Sequence, residues 1–301
     1  MAKQNKASEN NDVNTLEKIK KLGVMAMFSD DDLFDELVLK GGNAMDLIHQ
    51  LSSRASVDLD FSMQHDFPDG VETFRERVER ALTNTFRSNG YEVFDVKMIE
   101  KPNQLSEDMK DFWGGYGVEF KLIDSGLYKQ HSNDIAELRK HAIKIGQGQK
   151  FLIDISRFEY TLGKQETELD GFRIYVYSPE MIVCEKLRAI CQQLPEYGQF
   201  IKRSRAGSAR AKDFVDIYIL VSTLMLDIAS EKNKELLVEM FKAKRVPLEY
   251  LGKMQSQHDF HKADFPSVIA TVKEGIKLED FDFYFDFVMD LTNKLKPLWY
   301  V

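Results

Sequence analysis

The chain has 301 residues, with 41 Lys and Arg against 49 Asp and Glu, for a net charge of -8 at pH 7. That length holds two modest domains or one large one, and the acidic balance excludes nucleic-acid binding by bulk charge, so any such contact needs a local basic patch. No apolar run is long enough to span a bilayer, no signal-peptide pattern is present, and Cys184 and Cys191 are too few for a disulfide framework, so a cytoplasmic protein with both cysteines in the core is expected.

Residues 1–12 are polar and aperiodic and read as a flexible tail. Leu16, Ile19, Leu22, Val24 and Met27 then recur at helical spacing, which predicts a helix over 13–28. Asp30, Asp31 and Asp32 read as a turn or helix cap rather than a metal site. A strand over 37–39 runs into Lys40-Gly41-Gly42, where two glycines allow a tight turn and close approach to a ligand. Asn43 is expected to cap the next helix, whose free N–H groups would suit an anion such as phosphate. A second strand over 57–61 follows. Residues two apart on a strand face the same side, so Asp58 and Asp60 project together while Val57, Leu59 and Phe61 enter the core. Two carboxylates held side by side call for a cation, and Mg²⁺ fits best.

Downstream, Phe74, Val78, Leu82 and Phe86 mark one face of a helix over 71–89, ended by Gly90. Strands are expected over 91–99, 116–123, 150–156 and 172–177, with a charged, partly helical insertion at 124–149. Ser178-Pro179-Glu180 opens a long helical region. On its first helix Lys186 reads, by itself, as a solvated lysine. The run Lys202, Arg203, Arg205, Arg210 and Lys212 is either a contact for RNA phosphates or a triphosphate tail, or a solvated loop. Asp213 and Asp216, three apart, share a helix face. His258 and His261 read as ordinary loop histidines, because no companion ligand has metal-site spacing. The aromatics Phe281, Phe283, Tyr284, Phe285 and Phe287 read as core, on a helix over 280–295.

The segments Lys40-Gly41-Gly42-Asn43-Ala44, Arg54, Ser56, Asp58 and Asp60, with the later Lys212–Leu220 (KDFVDIYIL), resemble the AbiEii/AbiGii toxin family, a branch of the polymerase β-like nucleotidyltransferases. The resemblance covers roughly residues 13–225. It implies an α+β fold: a polymerase β-like mixed sheet flanked by helices (13–178), followed by a helical C-terminal domain (179–301). It implies a third carboxylate beside the pair. Asp154 is the better candidate, as metal ligand or base, and Asp124 competes with it. It assigns Lys40, Gly41, Gly42, Asn43, Arg54, Ser56 and Lys186 to nucleotide binding. Lys186 would be the cation on the triphosphate, and Asp213 or Asp216 would complete the site, with Asp213 holding Lys186 or Arg210 in place. Two Mg²⁺ ions on Asp58, Asp60 and Asp154 would serve transfer of a nucleoside monophosphate from an NTP to an acceptor, leading with a tRNA 3′ end, in a toxin with a cognate antitoxin. A small-molecule nucleotidyltransferase and an inactive nucleotide-binding protein are the alternatives.

Overall fold

Alternation of apolar and polar residues along the strands sets the central layer. The protein, seen in a computed structural model, is described over residues 2–52, 58–144, 148–273 and 275–300. Helix α1 (Ala2–Met27) and the short α2 (Asp31–Glu36) lead into β1 (Val38–Lys40). Next come α3 (Gly41–Asn43), extended by a π-helical turn over Ala44–Ile48, then β2 (Leu59–Ser62) and α4 (Gly70–Arg87). The meander β3 (Tyr91–Lys101) and β4 (Gly115–Asp124) precedes α5 (Ser125–His131), α6 (Ile135–Lys140) and β5 (Phe151–Ser156). The hairpin β6 (Gln165–Leu169) and β7 (Phe172–Val176) closes the sheet.

The seven strands lie in the order β3-β4-β5-β2-β1-β7-β6. Two neighbouring pairs, β2 with β5 and β1 with β7, are parallel, and the other four are antiparallel. One face is apolar. Phe151, Ile153 and Ile155 on β5, with Tyr116, Val118, Phe120 and Leu122 on β4, are buried there. Helix α4 covers them with Phe74, Val78, Leu82 and Phe86, the face read from its periodicity, and α1 packs on α4. The other face, bearing Asp60 and Asp154, is polar.

Helices α7 (Pro179–Cys191), α8 (Pro195–Phe200), α9 (Ala211–Leu224) and α10 (Glu231–Ala243) follow. Ser178 caps α7 by accepting the Met181 N–H, and Pro179 fills its first position, where a missing N–H is harmless. The short α11 (Tyr250–Lys253), α12 (His258–Lys262) and α13 (Phe265–Ile269) lead to α14 (Phe281–Lys294), which packs on α9. One apolar cluster runs from Ile19 to Leu295 through both halves, so the switch from sheet to helices at 178 does not divide the core.

Several expectations shift. The stretch 1–12 is helical from Ala2 rather than irregular, since no Gly or Pro stops a helix before Gly23. Strand β6 was not visible by alternation, because Gln165–Leu169 is mostly polar; its signal is Asp170-Gly171, whose φ values of 49° and 87° suit a tight hairpin turn. The 194–209 link contains α8, and His258 and His261 lie on α12. Asp30 caps α2 and Asp124 caps α5, each through its side chain. Of the C-terminal aromatics, Phe281, Tyr284 and Phe285 are core, whereas Phe283 is 42% exposed.

This contrast is testable. Phe214 is fully buried and meets Phe281, Phe285 and His261. Phe214→Ala is expected to lower unfolding free energy in urea by about 3–5 kcal/mol. Phe283→Ala should cost less than about 1 kcal/mol.

Candidate active site

The site begins with strand register. Asp60 on β2 is level with Lys40 on antiparallel β1 and with Asp154 on parallel β5, so all three share one face of the sheet. Asp58 stands just ahead of β2 rather than within it, and is exposed. It feels the charges of Asp154 and Lys212, as Asp60 does, but only Asp60 of the two lines the cavity at this site, so strand alternation does not carry the pairing. Burial pushes the Asp60 carboxyl up to about 6, and the charges of Glu185 and Asp154 add to this against the pull of Lys40. Asp58 is raised as well, by the partial desolvation of its carboxylate among neighbouring atoms, though the residue as a whole is exposed, and by the Asp154 charge.

Gly41 has φ +68°, and a Cβ there would lie 2.6 Å from the Asp60 carboxylate. Only glycine lets the turn after β1 pass this close to Asp60. Because the chain turns at Gly41, the helix starts there and not after Asn43. Asn43 therefore does not cap it. Its side-chain amide instead donates to the Asp58 carbonyl at 2.5 Å, tying the turn to the segment that bears the carboxylate pair. Arg54 and Ser56, with Val57, lie outside the described residues.

Lys40 is buried beneath this pair. Its ammonium lies 2.8 Å from Glu185, 3.6 Å from Glu159 and 3.1 Å from the Ser156 hydroxyl. Glu159, 4% exposed, is the hub. It also meets Arg188 at 2.8 Å and Lys244 at 3.6 Å. Burial alone would raise its pKa, but Arg188, Lys244 and Lys40 together lower it to about 2. Lys244 is brought down to about 8 by burial, with Arg188 and Lys40 pushing the same way against Glu159. None of Glu159, Glu185 and Lys244 has a local sequence signature, since each gains its role from partners on other elements.

Lys186 is 5% exposed, not solvated. Its ammonium lies between Asp213 (3.0 Å) and Asp216 (2.7 Å), and Arg210 meets Asp213 at 2.5 Å. Both aspartates of the helix face are thus used, and Asp213 holds both cations. Burial works against Asp213 ionisation, yet Arg210 and Lys186 hold its carboxyl well below the usual range. His261 accepts the Arg210 backbone N–H through Nδ1 at 3.0 Å, and burial lowers its pKa to about 4. His258 faces Asp259 and Asp282, so the two histidines serve different partners. Both cysteines are buried thiols, and burial pushes Cys184 up to about 12.

A cavity of about 650 Å³ is lined by Lys40, Gly41, Gly42, Asp60, Asp154, Lys186 and Asp213 among others, while Asn43 and Asp58 stand outside its lining. The basic run disperses. Lys202 pairs with Asp108 and Arg203 is bound to the Gln192 carbonyl, while Arg210 and Lys212 reach the cavity. On the far wall Lys101 crosses β4 to pair with Asp154. It can do so because Gly117 has no side chain; a Cβ there would sit 2.4 Å from the Lys101 Cε.

The donor set fits a hard divalent cation: Asp58, Asp60 and Asp154 offer only carboxylate oxygen, two have raised pKa values, and the Lys101 ammonium already stands against the third. Among the described residues no three or more such side chains are gathered closely enough to hold a metal ion by themselves.

Two outcomes follow. Asp60 titrates higher in the fold than in the unfolded chain, so its ionisation reduces stability as pH rises from about 4 to about 6. Without metal, Asp60→Asn is expected to raise stability by about 3 kcal/mol near pH 8, and the gain should vanish near pH 4. Lys186→Met, which leaves buried carboxylates short of a cation, should cost about 3 kcal/mol in urea denaturation. An unchanged midpoint would contradict the ion network.

Residues 24–287 match the family model described as nucleotidyl transferase AbiEii toxin, type IV TA system. Among solved structures, JHP933 from Helicobacter pylori is similar at a TM-score of 0.48 and 17% identity, over 96% of this chain and 93% of that one. MenT4, a nucleotidyltransferase toxin from Mycobacterium tuberculosis, gives 0.49 and 15%, over 95% and 85%. No curated protein matches the sequence. The family model spans most of the chain and carries the assignment: this protein belongs to the AbiEii family of nucleotidyltransferase toxins of type IV toxin–antitoxin systems.

Proposed function

We propose that the protein transfers a nucleoside monophosphate from an NTP to a hydroxyl of RNA, with a tRNA 3′ end as the leading acceptor, and that a cognate antitoxin counters it. The observation that carries this reading is the charge of the cavity. Asp60 and Asp154 share one wall with the Lys40-Gly41-Gly42 turn, and seven cationic side chains line the cavity against five acidic ones. A polyanionic substrate suits such a wall; a cationic small-molecule acceptor does not.

Asp58, Asp60 and Asp154 would hold Mg²⁺, two ions in all, which when bound neutralise charge on the attacking and leaving oxygens. Gly41 and Gly42 would give backbone N–H groups to the triphosphate. Lys212, exposed at the cavity and near both Asp58 and Asp60, is the cation best placed for the departing pyrophosphate. Lys186 would act at one remove, fixing Asp213 and through it Arg210. The acceptor oxygen bonds to the α-phosphorus and the bond to the bridging oxygen breaks. Pyrophosphate leaves with the electron pair, and Asp154 receives the hydroxyl proton. Phosphoryl chemistry of this kind needs positioning and charge compensation more than covalent help.

Purified protein incubated with total tRNA, Mg²⁺ and each labelled NTP should transfer label with at least one of them. Asp58→Ala should lower the rate about 100-fold or more, equivalent to about 2.7 kcal/mol of barrier. Added Mg²⁺ should raise the melting temperature of the parent and not of Asp58→Ala/Asp154→Ala. No transfer with any NTP, together with full toxicity of Asp58→Ala in cells, would overturn the reading.

A further inference from the structure

The sheet face that bears Asp154 continues beyond the cavity. Register sets Ile99, Gly117 and Asp154 in one row across β3, β4 and β5. The next row outward holds Lys97, Glu119 and Leu152. Lys121 follows two residues further along β4, and Lys150 stands immediately before β5, two residues from Leu152. Helix α4 buries the opposite face, but this one stays open until α6, and Ile99 is 43% exposed. A depression of about 310 Å³ lies here, lined by Lys97, Glu119, Lys121, Arg139 and Lys150.

Its charge departs from that of the whole protein. Among the described residues, the pairs formed here set Lys101, Lys121, Arg139 and Lys150, with Lys97 beside them, against Asp95, Glu119 and Asp154, in a chain of net charge -8. Lys121 and Arg139 share Asp95, and Lys150 meets Glu119 at 2.6 Å. Lys97 and Lys101 also act on Glu119. The cations are spread along the strands instead of clustering at one point. From Asp154 to Lys150 the floor runs about 13 Å at 3.3 Å per residue.

We propose that this open floor of β3, β4 and β5 is the track for the phosphodiester backbone of the acceptor RNA, leading its reactive end to Asp154. It rests on the reading of the acceptor as RNA and names the surface that binds it. The favoured occupant is RNA rather than an acidic protein surface because the track ends at the carboxylate that meets the acceptor hydroxyl. Ile99 on β3, exposed, and Leu152 on β5, half-buried in the row of Lys97, offer apolar ground for sugar and base edges.

The test uses the full chain and fluorescein-labelled total tRNA, with binding read by anisotropy across a salt series. The double reversal Lys97→Glu/Lys150→Glu touches only exposed side chains. It should weaken binding at least about tenfold and reduce the log–log salt slope by about 1.4, two contacts at about 0.7 each for single-stranded RNA. Lys97→Gln/Lys150→Gln should shift both in the same direction, and serves if the reversal fails to fold. The same reversal at Lys202 and Arg205 should leave affinity within about twofold. Unchanged affinity and slope in the sheet variants, or a loss confined to Lys202 and Arg205, would overturn the track. An acidic protein partner would then be the occupant to seek. Failure of the RNA reading itself would show separately, as absence of label transfer by the parent.

Discussion

Carboxylates held level on neighbouring strands are the constraint around which the rest of the molecule is arranged. The parallel pairing of β2 with β5 brings Asp60 and Asp154 side by side, and Asp58, just ahead of β2, feels the charge of Asp154. Like charges at this spacing resist ionisation, and the fold answers with cations at three depths. Lys101 lies against Asp154 on the open side, Lys212 stands near the pair, and Lys40 lies underneath. Each answer demands something further. Lys101 needs the bare backbone of Gly117, and Gly41 must bring the turn against Asp60 without a side chain. Lys40 needs Glu159 and Glu185 to be tolerable in the interior.

Glu159 shows how such a requirement spreads. One buried carboxylate faces Lys40 from β1, Arg188 from α7 and Lys244 beyond α10. Burying any one of these cations alone would cost several kcal/mol. Together they form a cluster in which each charge has an opposite neighbour. Such clusters add little stability over a well-packed apolar core. What this one provides is a fixed positive floor under a cavity that must accept a polyanion, with no solvent rearrangement needed when it arrives.

What the sequence disclosed follows from the range of each interaction. The α4 face and the Ser178–Pro179 helix start depend on residues within a turn or two, and each was legible as a pattern. Asp154 could be weighed against Asp124 only by analogy; the fold separates them, because Asp124 caps α5 while Asp154 is level with Asp60. Lys186 reads as a surface residue without the resemblance, which alone placed it in the site, because its two carboxylate partners lie 27 and 30 positions away. Asn43 misled for the opposite reason. Its local pattern was that of a cap, but Gly41 turned the chain first and left the amide for Asp58. Glu159, Glu185, Lys244 and Lys101 had no legible signal, since their meaning lies wholly in contacts between distant elements.

The same reasoning bears on the helical half. Read by secondary structure, the chain changes character at Ser178, and a boundary there is natural. Read by charge, it does not. Helix α7 supplies Glu185 and Arg188 to the cluster under the turn, and carries Lys186 into the network built by α9. His261 on α12 then holds the backbone of Arg210, the residue that leads into α9. The sheet contributes the carboxylates that would meet substrate, together with Lys40 and Lys101, and the helical region contributes the other five of the seven cations that line the cavity. The helical region therefore closes the site rather than merely following it, and the apolar core that runs unbroken through both halves holds that closure in register.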